Sequence, residues 1–307
     1  MHRDWPDIVG IGSTVYDTLM VVESFPTEDT KSKGLQTKVQ GGGPCATALV
    51  AAAKLGVSAA YLGTMGNDPF GDFMVEDLEQ WGVDTCHVRR EQGAISFHAV
   101  VLLNQQNGSR TCIWNPGTVQ PPMPNDIPVE VLRNAKALHL DGHMTDAAEF
   151  AAQICREAGV PVSYDAGGLY PGIERLLPLV DYLIPSEEFA LAFTGAKNAD
   201  EAIRLLFDTF HPKLVVLTQG VRGGLLYDGK QLQTYESYPL QVQDSNGCGD
   251  TFHGAFMAAI IRGLVPMAAC QYASAAAAIK CTRLGAREGM PTDAECRAFL
   301  RERGVEL

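Results

Sequence analysis

Near the C-terminal end of the chain Asp244 to Ile260 reads DSNGCGDTFHGAFMAAI. Glycines flank a cysteine, a carboxylate follows at once, and a run of small apolar residues comes after it. Glycine lets the backbone turn sharply and leaves room for a ligand to approach. A helix starting near Gly249 would present unpaired N–H groups and the positive end of its dipole there. That is a phosphate-binding arrangement. Asp250 would repel phosphate unless it takes the proton from a hydroxyl that attacks phosphorus. A plainer account fits the same stretch equally well, a tight turn with Asp250 as N-cap or first-turn helix residue. His253 reads first as a packed or capping histidine, and Cys248 as a small residue for close packing.

The elements around this stretch follow from the pattern. Asp7–Gly12 and Thr14–Val22 read as strands, Gln36–Val39 as another, and CATALVAAAKLG as a buried helix stopped by Gly56. Ile95–Leu103 and Arg110–Trp114 read as a hairpin around Gln106-Asn107-Gly108. From Val129 helices alternate with strands at 137–140, 160–164, 182–185 and 214–218, with helices at 146–158, 172–178 and 199–209. A hairpin around Asp228-Gly229 and helices at about 249–262 and 266–281 follow. The alternation predicts an α/β fold with a mostly parallel central sheet covered on both faces, a three-layer α/β/α arrangement. The β-rich stretches 14–40 and 95–115 break the alternation and are expected as a small β-sheet lid inserted in one domain spanning 1–307.

Composition narrows the function. The chain has 307 residues, 46% hydrophobic, with a formal net charge of −12, so a general nucleic-acid binder is disfavoured. The N-terminal stretch lacks an apolar leader segment, and no run of 18 apolar residues is present. A cytoplasmic protein with no membrane partner is expected. The eight cysteines are scattered without a C-x-x-C pair or zinc spacing, which predicts reduced, mostly buried thiols. Gly10-Ile11-Gly12 lacks the third glycine of a dinucleotide fingerprint, and no G-x-x-x-x-G-K-[ST] occurs.

DSNGCGDTFHGAF resembles the C-terminal signature of the PfkB, or ribokinase-like, carbohydrate kinase family, D-[TS]-x-G-A-G-D-x-F. GGPCATALVAAAKLG resembles its N-terminal signature, TQGVRGG its nucleotide-side loop, and CTRLGAREGMPT its closing segment. The resemblance implies an ATP-dependent sugar kinase with a ribokinase-like fold and Asp250 as base. The N–H groups of Gly247, Cys248, Gly249 and Asp250 would form the anion hole. Asp17 would hold sugar hydroxyls, with Gly42 and Gly43 close to the substrate. Thr218, Gly220 and Gly223 would line the ATP, with Ala277, Lys280 and Gly285 near the adenine. Mg²⁺ would ride on the nucleotide. Asp244 and Asn246 backbone oxygens, with the loop after Lys280, match a monovalent-cation site such as one for K⁺. Pairing into a homodimer through the lid is also implied.

The chain departs from the family pattern at several positions. Thr47 stands where the family has Asn. In IPSEEFA, Ser186 replaces the Asn and Phe189 the Glu of a motif that organises Mg²⁺, with Glu187 or Glu188 as substitutes. Within the family the segments are most like the sulfofructose kinase branch. There Lys31 and Asn115 match residues that hold the terminal sulfonate, and His143 falls where an arginine is expected. An uncharged ketose and a different acidic sugar are equally open. The alternatives are a nucleoside kinase of the same fold, and a non-catalytic sugar or nucleotide sensor.

Overall fold

Ile8–Ile11, IVGI, is an interior strand, β1, of the main sheet in the computed structural model, which describes residues 5–107 and 109–307. Its four residues are all buried, as a parallel strand covered on both faces requires. On one side β1 pairs in parallel with β4 (Ala59–Tyr61), and β4 with β6 (Val83–Asp84). On the other it pairs in parallel with β10 (Ala137–Leu140). The sheet continues through β11 (Val162–Ala166), β12 (Tyr182–Pro185) and β13 (Leu214–Thr218). Antiparallel strands β14 (Gly224–Tyr227) and β15 (Leu232–Tyr235) complete nine strands.

Helices cover both faces and make two cores. One core gathers α1 (Pro44–Lys54), α2 (Pro69–Gln80), α7 (Cys248–Ile261), α8 (Pro266–Cys281) and α9 (Asp293–Arg301). The other gathers α3 (Val129–Asn134), α4 (Thr145–Ala158), α5 (Glu187–Thr194) and α6 (Ala199–Phe210). The small-residue run after Asp250 is explained by packing. A Cβ on Gly254 would collide with the Ala48 carbonyl, so α7 can press against α1 only with glycine there.

A separate four-stranded sheet has the order β3-β2-β8-β9, built from β2 (Val15–Val22), β3 (Gly34–Gly42), β8 (His98–Asn104) and β9 (Arg110–Asn115). These strands fall in the two stretches that broke the alternation. Gly108 of the hairpin turn lies outside the described residues. A short parallel pair, β5 (Thr64–Gly66) and β7 (Arg89–Glu91), stands beside it.

Two expectations are corrected. Residues 172–178 do not form a helix. They make two short 3₁₀ turns at Ile173–Arg175 and Leu177–Leu179, the second with Pro178 inside it, whose missing N–H cannot extend a helix. The thiols are not all reduced, because Cys248 and Cys281 are joined as a disulfide with their Cα atoms 6.3 Å apart. That separation is ordinary for a disulfide. The start of α7 and the end of α8 meet in space, which sequence spacing does not reveal. Among the described residues no helix is long and apolar enough to cross a membrane.

Candidate active site

Gly247 is the N-cap of α7, with φ of 75°, and Cys248, Gly249 and Asp250 form its first turn. Asp250 is therefore a first-turn residue, as the plainer account also allowed, and not the N-cap. The cap is Gly247, and among the described residues no hydrogen bond engages the Asp250 carboxylate. The Cys248 N–H turns back 3.3 Å onto the Ser245 carbonyl, and the Thr251 N–H and hydroxyl both donate to the Gly247 carbonyl. A Cβ on Gly249 would meet nothing within 4 Å, so this turn faces open space. Burial pushes the Asp250 pKa up to about 7, helped by the charges of Asp165 and Asp141 and opposed by His253 and Arg110. A carboxyl poised near neutrality suits a general base.

One side of this turn opens on a cavity of about 370 Å³. Its wall includes Cys248 and Gly249 from α7, Thr218, Gly220 and Gly223 from the β13–β14 connection, and Ala277 from α8. Of these, Thr218, Gly220, Gly223 and Ala277 are residues that the sequence assigned to the nucleotide side, and Cys248 and Gly249 to the anion hole. Its lining is mostly apolar, as a flat heterocycle requires. Ser186, Lys280 and Gly285 do other work. The Ser186 hydroxyl accepts from the Phe189 N–H and caps α5. Gly285 donates its N–H to Asp244 Oδ2 at 3.0 Å.

The other side leads to Asp17. The Thr47 methyl sits against the Gly247 backbone, and a Cβ on Gly42 would collide with the Asp17 carboxylate. Asp17 is 9% exposed, and among the described residues no donor reaches its carboxylate. Burial raises its pKa to about 6, against the pull of Arg287. Cross-strand register sets Gln40, Asp17, Ala99 and Trp114 in one row across the small sheet. Residues directly opposite one another share a face. Both amide atoms of Gln40 and the Thr47 hydroxyl are buried without a hydrogen-bond partner among the described residues. Gly43 begins α1 at φ of 90°. Buried polar atoms without partners are uncommon, and they suit a ligand rich in hydroxyls.

Among the described residues no contact brings the proposed anion-holding trio together. Asn115 belongs to the alternate row, opposite His98, and its Oδ1 accepts from the Gly117 N–H. Lys31 lies exposed in the connection from β2 to β3. His143 packs on Tyr170 with ring centroids 4.3 Å apart, and its N–H donates to Asp141 Oδ1. Among the described residues no hydrogen bond or ring contact links Lys31 to either.

The metal assignments also change. Glu187 Oε1 accepts from Gln219 Nε2 at 2.8 Å and its other oxygen pairs with Arg222, so its carboxylate is already engaged. The Asp244 carbonyl oxygen accepts from Lys280 Nζ at 2.8 Å. A free monovalent cation does not fit beside that ammonium. The Asn246 side chain accepts from Arg110 Nη1 at 3.0 Å, which ties the small sheet to the loop before α7.

Sequence reasoning missed Gln40, Arg110 and Asp165 at the site. Asp165 pairs with His253, whose Nε2 lies 3.2 Å away. His253 therefore serves as a charged partner, beyond packing. The strand ending VSYDA was the available signal for Asp165, because α/β folds place ligands at the carboxyl ends of strands.

Comparison with known proteins agrees with this geometry. Residues 6–293 match the pfkB family carbohydrate kinase description. A ribokinase from Haemophilus influenzae is 27% identical over 94% of this chain and 97% of its own length. Fructokinase-1 from Oryza sativa is 29% identical over 84% of this chain and 87% of its own. The structure of Arabidopsis thaliana ribokinase complexed with ribose and ATP superposes with a TM-score of 0.86 at 27% identity, covering 97% of this chain and 99% of that one. With the match running along nearly the whole sequence, the chain belongs to the pfkB family of carbohydrate kinases.

Proposed function

We propose that this enzyme transfers the γ-phosphoryl group of ATP to a primary hydroxyl of a small sugar, with Asp250 as general base. The observation that carries the reading is the Asp250 carboxylate, unpartnered in the first turn of α7 and pushed up to about 7 by its surroundings. The cavity beside Cys248 and Gly249 takes the nucleotide, and the Gly249 and Asp250 N–H groups face the transferring phosphoryl group. Mg²⁺ arrives on the nucleotide and, once bound, neutralises phosphate charge. Asp17 accepts two sugar hydroxyls and fixes which hydroxyl faces Asp250. The Arabidopsis neighbour holds ribose and ATP, which supports this pair of ligands.

A neutral ketose or aldose suits the site better than a sulfosugar, since Asn115 lies in the row alternate to Asp17, on the other face of the small sheet. The nucleoside kinase and sensor alternatives are not favoured, because the relatives are named as sugar kinases and Asp250 is intact. Measuring ATP consumption over ketoses, aldoses, sugar acids, nucleosides and sulfosugars tests the reading. Turnover on adenosine above every sugar, or on none, would overturn it.

Pairing of two copies through the small sheet belongs to the same reading. Val39, Val100 and Ile113 stand in one row on its outer face and are exposed. Light scattering on the purified chain should give twice the monomer mass, and a monomer at working concentration would refute pairing.

A further inference from the structure

Lys280 is the penultimate residue of α8, and its side chain is 0% exposed. A lysine is almost never fully buried unless its charge is paired. Its Nζ donates to the Asp244 carbonyl at 2.8 Å and lies 3.7 Å from Asp244 Oδ2. Burial pulls the Lys280 pKa down, and the carboxylate and carbonyl of Asp244 work against that pull.

Asp244 is the joint between two loops. Its Oδ1 accepts from the Asn246 N–H at 2.8 Å and its Oδ2 from the Gly285 N–H at 3.0 Å. The Gln243 and Asp244 N–H groups both donate to the Cys281 carbonyl, at 2.8 and 3.1 Å. The segment that leads into the catalytic turn is thereby fastened to the end of α8. The fastening centres on one ion pair only a few residues from Asp250.

A free monovalent cation bound through the Asp244 carbonyl would have to share that oxygen with an ammonium group. Two like charges on one acceptor repel strongly where water is excluded. We propose that Lys280 is a tethered cation: its ammonium does on Asp244 what a free K⁺ would do, and the enzyme works without K⁺ or Na⁺. Lys280 is a positioning residue here, holding the 244–249 loop so that the first turn of α7 keeps its shape for phosphate.

The proposal rests on the sugar kinase reading for its role in turnover, but nucleotide binding tests it separately. ATP affinity is measured by calorimetry on the full chain in potassium chloride and in tetramethylammonium chloride at equal ionic strength. Wild type should bind ATP equally in both. Lys280→Ala should lose about tenfold in affinity in tetramethylammonium, the scale of a lost charged hydrogen bond. Potassium or ammonium ions should restore it, because they fit the vacated oxygen and tetramethylammonium does not. Lys280→Met keeps the side-chain bulk and should also lose affinity, with weaker potassium rescue.

Potassium stimulation of wild type by more than about twofold would overturn the proposal, since a filled site leaves no free acceptor for the ion. So would an affinity loss in both variants that no cation repairs, because that is the mark of a purely structural lysine. If Lys280→Ala does not fold, the wild-type salt comparison and Lys280→Met still decide. Failure to find a sugar substrate would leave these binding results standing and would count only against the reading of function.

Discussion

Nε2 of His253 lies 3.2 Å from Oδ1 of Asp165, one helical turn beyond Asp250 on α7. Burial resists a charge on His253, but the Asp165 carboxylate outweighs it and the net pKa is raised. The pair acts on the base with opposite signs: Asp165 raises its pKa and His253 lowers it. Replacing His253 with Asn removes the positive charge and leaves that of Asp165. The acid limb of kcat/KM should then move up by about one pH unit, the usual effect of one nearby charge. Replacing both residues with Asn should bring the limb back toward wild type. A limb that stays in place in His253→Asn would show that the pair acts through packing alone.

The wild-type pH profile follows from Asp250 itself. The base must be ionised to accept a proton, and its pKa is pushed up to about 7. Activity should therefore be lost as pH falls through 7, about tenfold per unit below the midpoint. A rate that stays flat down to pH 5 would exclude Asp250 as the group that sets the limb.

Among the described residues no donor reaches the Asp17 carboxylate, buried beside Gly42, so sugar hydroxyls are its expected partners. Asp17→Ala should raise the sugar KM by about tenfold or more, the size of a charged hydrogen bond, and change the ATP KM little. Equal rises in both would point to collapse of the small sheet.

The Cys248–Cys281 bond joins the catalytic turn to α8 across the nucleotide cavity wall. Alkylation of denatured protein without reductant should label Cys45, Cys112, Cys155, Cys270 and Cys296 and spare Cys248 and Cys281. Both should label after reduction. Labelling of both without reductant would show that the thiols are free in solution.

Much of the main sheet was legible because each parallel strand is a short apolar run between helices. Ala137–Leu140, Tyr182–Pro185 and Leu214–Thr218 carry their own boundaries. Helix α5 went unread, although Ser186 ahead of Glu187 and Glu188 is a helix-start signal, because the segment reads first as a family motif. At the site, Asp250 stands out because glycines surround it in sequence. Gln40 does not, because only the register with Asp17 sets them side by side. The occupation of Asp244 by Lys280 needed the three-dimensional meeting of two loops. Sequence placed Lys280 near the nucleotide, whereas its ammonium is engaged by Asp244.

The central claim is that Asp250 removes the hydroxyl proton during phosphoryl transfer. The direct measurement is kcat for Asp250→Asn on the best sugar from the panel, with ATP affinity measured alongside. The variant should lose about 10²-fold or more in kcat while ATP affinity and thermal stability stay near wild type. A kcat within a few-fold of wild type would contradict the account.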